Sequence, residues 1–423
     1  MIQADGALVA IRTTRARGYP AGAALAPDRA YPERPFPGEP ISPENHVYGL
    51  VRAALRDAGA DAEHDGTARW NPLGRWIRRG DRVFVLPNFV MHRRPRESAR
   101  DFSGKCTHAS VVRAVLDYAV VAAGDPSLVT FGNAPIQGCD FDRVAADTGA
   151  ASVGEAYRRL TGAGVGPVDL RAVSSRVTAY GALKEVRRRD TEGAYDVDLG
   201  LGSLLEPLAV SGAGRAEFRV GDYAPEATMR FHGPGRHLYV VSRRVLDADV
   251  IISVPKLKTH QKVGLTCALK GTVGAIARKE CLAHHRRGAP ERGGDEFPRD
   301  SAARDLVSRM LDRTAGPDTR LRANVLRVAS KVAARALRVG PGGIWGGSWF
   351  GNDTAWRMAL DIARILRFWR AGALGSTPAR HHLVVVDGIV AGEGDGPLRP
   401  SGRPAGVVAF AADPCAADVV CAR

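Results

Sequence analysis

Short, continuously apolar runs punctuate this chain between longer segments of mixed polarity, and their spacing predicts its elements. DRVFVLPNFV (81–90), SLVTFGNAP (127–135), ADVIISVP (248–255), HLVVVDG (382–388) and GVVAFAADP (406–414) have strand length and little alternation. A strand that is apolar at every position is buried on both faces, the habit of a parallel sheet covered by helices. Between the runs, HVYGLVRAALRDAG (46–59) and THASVVRAVLDYAVVAAG (107–124) carry helical periodicity, the second with Thr107 or Ser110 near its cap and Gly124 at its end. RDLVSRMLDRT (304–314), the segment 319–340 and the segment from about 354 to 370, capped by Asn352 or Asp353, also read as helices. Asp413-Pro414 has the form of a helix start.

Strand, loop, helix and strand in succession predict an α/β fold with a mostly parallel sheet flanked by helices and a less regular inserted region. Residues 1–45 read as an extended Pro/Gly-rich lead-in and 46–423 as the α/β domain. Within it, 136–235 forms an irregular insertion of short strands and 280–370 a helical insertion. That helical insertion holds a basic amphipathic helix. Arg320, Arg327, Lys331, Arg335 and Arg338 share one face and Leu321, Val325, Val328 and Val332 another. A surface helix packed on its own domain is favoured over one lying on a membrane. Four of the six tryptophans (Trp345, Trp349, Trp356, Trp369) fall in 340–369, read as aromatics closing a lid rather than stacking on a sugar.

Composition narrows the function. A net charge of +15 would suit nucleic acid, but arginine is spread along the whole chain and no nucleic-acid-binding module is present, so no specific nucleic acid is expected. The N-terminus has no secretory apolar core and no 18-residue apolar stretch occurs, which makes a cytoplasmic location the expectation. The six cysteines (Cys106, Cys139, Cys267, Cys281, Cys415, Cys421) include no C-x-x-C pair, so no iron–sulfur cluster bound by this chain's own cysteines is expected.

Lysine usage points to a site. Only eight of the 60 basic residues are lysine, and five of the eight (Lys256, Lys258, Lys262, Lys270, Lys279) lie between 256 and 279. They follow a predicted strand, where ligands of open α/β sheets bind. Lysine binds phosphate or carboxylate as a point charge, and its pKa falls with burial as that of arginine does not. Lys256, Thr259, Gly264, Thr266, Lys270, Gly271 and Asn88 are therefore candidate ligand-binding residues, with His260 and Lys258 candidate catalytic groups. A second stretch, DGIVAGEGDGP (387–397), places Asp387, Glu393 and Asp395 among glycines, which suits a divalent cation or simply turns.

Taken in order, VFVLPNFV, SLVTFGNAP, ADVIISVPKLKTHQKVGLTCALKGTVG, WFGNDTAWRMALDIARIL, VVDGIVAGEGDGP and AADPCAADVV resemble the successive motifs of the family catalogued as domain of unknown function 362, over roughly residues 80–423. The resemblance implicates Asn88, Lys256, Lys258, Thr259, His260, Gly264, Thr266, Lys270, Gly271, Asp387, Gly388, Glu393, Gly394, Gly396, Pro397, Asp413 and Asp418. Leu86 stands where the family commonly has lysine, and the ferredoxin-like cysteine run of many members is missing. The leading expectation is an enzyme that binds a small anionic metabolite through the Lys/Thr/His segment. Two alternatives are a redox accessory protein docking a ferredoxin-like iron–sulfur partner and a peripheral membrane protein of glycan metabolism. Membrane-surface contact is the less favoured of these.

Overall fold

The computed structural model describes residues 2–4, 7–20, 25–177, 183–188, 192–211, 214–221, 223–313, 315, 321–336 and 346–423. Its central strands are the apolar runs: β1 (Ala7–Thr13), β2 (Val83–Pro87), β3 (Val129–Asn133), β4 (Val250–Val254), β5 (Lys256–His260), β6 (Gly264–Thr266), β7 (His381–Asp395) and β8 (Arg399–Ala411). They lie in the order β1-β8-β7-β4-β2-β3. The centre is parallel, from β7 through β4 and β2 to β3, while β8 and β1 add antiparallel strands at one side. The fold is therefore α/β with a mixed, mostly parallel sheet.

Both faces of the parallel centre are covered, which is why these strands lack alternation. Val83, Val85, Val129, Phe131, Val250 and Ile252 face one core with α1 (His46–Asp57), Phe102 of α2 (Ala99–Lys105) and α3 (Ala109–Ala123). Phe84, Leu86 and Ile251 face the other core with α7 (Ala355–Phe368), which buries Met358, Ile362, Ile365 and Leu366 at helical spacing. Each such side chain contributes about 1.5–3 kcal/mol relative to exposure. Helix α3 starts at a His108 cap and stops at Gly124, whose φ of 80° suits the left-handed residue that ends helices. Asn352 starts α7 by accepting from the backbone N–H groups of Thr354 and Ala355.

Several expectations change. The lead-in is not merely extended: β1 pairs with β8. The insertion at 136–235 contains the helices Phe141–Thr148 and Ala150–Thr161 as well as short strands. The stretch 387–397 is not simply turns, because β7 continues to Asp395 with an irregularity between Gly388 and Val390. Gly392 marks a close backbone approach there: a Cβ would meet Gly104 O at 2.4 Å and Lys258 Cβ at 2.7 Å.

In the helical insertion, α5 (Ala302–Asp312) packs on α6 (Leu321–Ala336). The side chains proposed for the basic face of α6 lie outside the described residues, whereas Val325, Val328 and Val332 are exposed. The three described valines of the apolar stripe thus meet solvent. Trp345 also lies outside the described residues. Trp369 is buried, Trp349 half-buried and Trp356 exposed. Among the described residues no single helix is long and apolar enough to cross a membrane.

Candidate functional site

The Lys-x-Lys-Thr-His segment is itself strand β5, paired in parallel with the second half of β7. Its side chains alternate, so Lys256, Lys258 and His260 are buried on one side while Leu257 and Thr259 face the other. This strand turns its charged residues inward, the reverse of the usual pattern.

Lys256 is held by its own counter-ion. Its Nζ donates to Asp387 Oδ2 at 2.8 Å, Tyr19 OH at 2.5 Å and Val390 O at 3.1 Å. Asp387 also accepts from Tyr19 OH and from the His108 backbone N–H at 2.9 Å. The Tyr19 ring stacks on His108 with centroids 4.0 Å apart, and burial pushes the His108 imidazole down to about 4. Lys256 and Asp387 are both wholly buried, so this centre has its hydrogen bonds satisfied from within the fold. Asp387, the first of the three expected cation ligands, is committed here.

The other two carboxylates are elsewhere. Glu393 is exposed and paired with Arg403; Asp395 accepts from Gln261 Nε2 at 3.2 Å. Among the described residues these three do not bring carboxylate oxygens within 4.8 Å of one another, as Asp61, Glu63 and His64 do elsewhere. The glycines of 387–397 fit the β7–β8 hairpin against β5: Thr259 donates to Gly394 O at 2.8 Å, and a Cβ on Gly396 would fall 1.9 Å from Thr259 O.

Beyond Lys256 the cations lose their carboxylates. Lys258 donates to Asn88 Oδ1 at 2.7 Å and to Lys105 O, with no acidic partner, and burial brings its amine down to about 7. Lys279 donates only to Val273 O at 3.1 Å and is likewise brought down by burial to about 7. Lys262, at the tip of the β5–β6 turn, and Lys270, on the short helix α4 (Ala268–Gly271), have no hydrogen-bond or ion-pair partner for Nζ among the described residues. Burial brings both to about 8; Asp295 and Glu296 oppose the shift at Lys262, whereas the Lys262 charge adds to it at Lys270.

Three histidines share this field. Burial first, then the Lys270 charge, holds both His260 and His284 well below the ordinary imidazole range. His285 is shifted the same way by burial and Lys262, and its buried Nδ1 has no partner. Backbone contacts fix two tautomers: His260 Nδ1 accepts from Lys262 N–H at 3.1 Å, and His284 Nδ1 donates to Leu282 O at 3.0 Å. His260 therefore presents Nε2–H as a donor, and His284 presents Nε2 as an acceptor. The Thr266 hydroxyl, on β6, is buried without a partner.

The loop before α7 lies against this cluster. Gly347 N–H donates to Glu296 O at 2.8 Å, and Asn352 Nδ2 donates to His284 O at 2.9 Å. At Gly346 a Cβ would lie 3.6 Å from Lys262 Nζ and 3.8 Å from His285 Cε1, so lysine and histidine flank one space that glycine leaves open. Helix α4 is fixed from the chain's other end: Asp418, on α8 (Pro414–Cys421), accepts from Ala268 N–H at 2.6 Å and Leu269 N–H at 3.1 Å. Asp413 caps α8.

The fold thus gathers Asn88, Lys258, His260, Thr266 and Lys270 around β5 and β6, and separates Asp387, Glu393 and Asp395. Gly264, in the turn, is exposed with φ 76°, and Gly271 ends α4. Sequence reasoning missed Tyr19, His108, Lys279, His284 and His285 as neighbours. The lysine skew had included Lys279; the histidine pair lay in an arginine-rich segment that resembles a solvated loop.

Residues 208–423 match the model of the family described as domain of unknown function (DUF362). The chain belongs to this family. The DUF362 match contains β5, β6, α4 and the histidines, while Tyr19, Asn88 and His108 come from the N-terminal half. The thylakoid-associated protein sll1697 of Synechocystis sp. is 23% identical over 207 residues, 49% of this chain and 43% of that protein. The chain therefore matches less than half of that relative's length.

Proposed function

We propose that this DUF362 protein is an enzyme that binds a small metabolite bearing a phosphate or carboxylate in the pocket of Lys258, Lys262, Lys270 and Lys279. The observation that carries this reading is the contrast along residues 256–279: Lys256 has a buried carboxylate, and the four lysines after it have none bonded to them. Ammonium groups held together without counter-ions are strained by desolvation and mutual repulsion. At an effective dielectric of about 20, one negative charge about 4 Å from one ammonium gains roughly 4 kcal/mol, so an anion relieves the strain directly. His260 Nε2–H and His284 Nε2 supply a donor and an acceptor for acid–base chemistry. The reading favours the pocket over the Asp387 centre, whose groups already satisfy one another.

Titration calorimetry with sulfate and inorganic phosphate tests it. The expected result is saturable binding that weakens at least ~10-fold in Lys262→Ala and in Lys270→Ala, in line with the loss of one charge contact. Equal binding by wild type and both variants, or no binding, would overturn the proposal.

A further inference from the structure

We propose that Lys270 is a nucleophile that forms an imine with an anionic aldehyde or ketone, whose carboxylate or phosphate is held by Lys262. This rests on the reading of the pocket as an anion site and adds the reacting group. Four of the described lysine side chains have their amines engaged: Lys105 by Glu97, Lys256 by Asp387, Lys258 by Asn88 and Lys279 by Val273 O. Only Lys262 and Lys270 among them present a free Nζ. Of these two, Lys262 has Asp295 and Glu296 nearby to sustain its charge, whereas Lys270 lies among the like charges of Lys258, Lys262 and Lys279. An amine beside another cation spends more time as the uncharged nucleophile, and arginine cannot take that role. The position is also rigid, because Asp418 fixes the start of α4 and Thr272 Oγ1 donates to Leu269 O at 2.6 Å.

The step balances without an oxidant or reductant. The Nζ lone pair attacks the carbonyl carbon, the C=O π pair moves to oxygen, and His284 Nε2 accepts a proton from nitrogen. His284 returns that proton to the oxygen to give the carbinolamine, then takes the second N–H proton and passes it to the hydroxyl, which leaves as water as the C=N bond forms. The sum is amine plus carbonyl giving imine plus water. His260 Nε2–H is the complementary donor, its direction set by the backbone contact at Nδ1.

The full chain is incubated at pH 7.5 with glyoxylate or with pyridoxal 5′-phosphate, reduced with borohydride and mapped by peptide mass spectrometry. An amine titrating near 8 is about 25% uncharged at that pH, against ~0.1% for an ordinary lysine. Because Lys105, Lys256, Lys258 and Lys279 are held by hydrogen bonds and Lys262 holds the anion, the expected adduct sits on Lys270 at least ~10-fold above any of the other seven lysines, and excess sulfate suppresses it. Lys270→Arg should abolish it, since a guanidinium cannot form the imine. Adducts spread evenly over the lysines, an adduct chiefly on Lys262, or no adduct with sulfate binding intact would each overturn the imine proposal alone. Absence of sulfate binding would instead remove the anion reading beneath it. The wild-type map stands even where a variant fails to fold.

Discussion

Asp387→Asn separates the lysine that holds the fold together from the lysines proposed to hold a ligand. The substitution keeps the size of the side chain and removes the only carboxylate bonded to Lys256, where both partners are 0% exposed. Lys256 would keep Tyr19 OH and Val390 O, two neutral oxygens, around a charge shielded from water. Breaking one side of a buried pair costs ~3–5 kcal/mol, chiefly through the uncompensated charge left behind. Urea unfolding of the variant should show a lower midpoint at unchanged slope, corresponding to a loss in that range. Adding Lys256→Met removes the orphaned charge, so the double variant should recover at least ~2 kcal/mol relative to the sum of the single losses. Sulfate affinity of folded Asp387→Asn should stay within about twofold of wild type, because the pocket lysines keep their surroundings. A loss under ~1 kcal/mol, or a double variant no better than the sum, would refute the account of Lys256 as a structural latch. Folded Asp387→Asn with sulfate binding weakened over tenfold would return Lys256 to the ligand site.

Further outcomes follow from the same geometry. Sulfate keeps its charge across neutral pH, so its affinity should be full below about 7 and fall as pH rises through 7 to 8, where Lys258 and Lys279 and then Lys262 and Lys270 lose their protons; pH-resolved calorimetry checks this. The folded amines of Lys258, Lys262, Lys270 and Lys279 titrate below their unfolded value of 10.5, so the unfolded chain binds more protons between about 7 and 10. Stability of the ligand-free protein should therefore rise with pH there, by up to ~1.4 kcal/mol per pH unit for each group, and saturating sulfate should flatten the rise. Asp418→Ala leaves the buried N–H groups of Ala268 and Leu269 unbonded, which should cost ~2–4 kcal/mol in urea unfolding and weaken sulfate through displacement of Lys270. Gly346→Val fills the space between Lys262 and His285 and strains a residue with φ of 57°; reduced sulfate affinity in calorimetry is the expected result, and unchanged affinity would remove Gly346 from the pocket.

The apolar runs were enough to predict the parallel centre of the sheet, because strands buried on both faces must be apolar throughout. The β5 strand escaped that logic. KLKTH alternates as a strand should, but the residues facing inward are Lys256, Lys258 and His260, so a polarity pattern reads it as a loop. The same happened at 387–397, where glycines that let β7 approach Gly104, Lys258 and Thr259 look like turn residues. The helices at 141–161 were lost in a glycine-rich insertion whose cores form through contacts distant in sequence.

The lysine skew, visible in one dimension, located the site within 24 residues of 423. It could not say which of those lysines have partners. Asp387 lies 131 positions from Lys256, Asn88 lies 170 from Lys258, and Asp418 lies 150 from the helix that carries Lys270. Sequence by itself determined residue chemistry and local periodicity. Whether a charge is buried, and whether a carboxylate stands beside it, depends on neighbours brought together by the sheet. Only the tertiary structure could divide five lysines into a latch and a pocket.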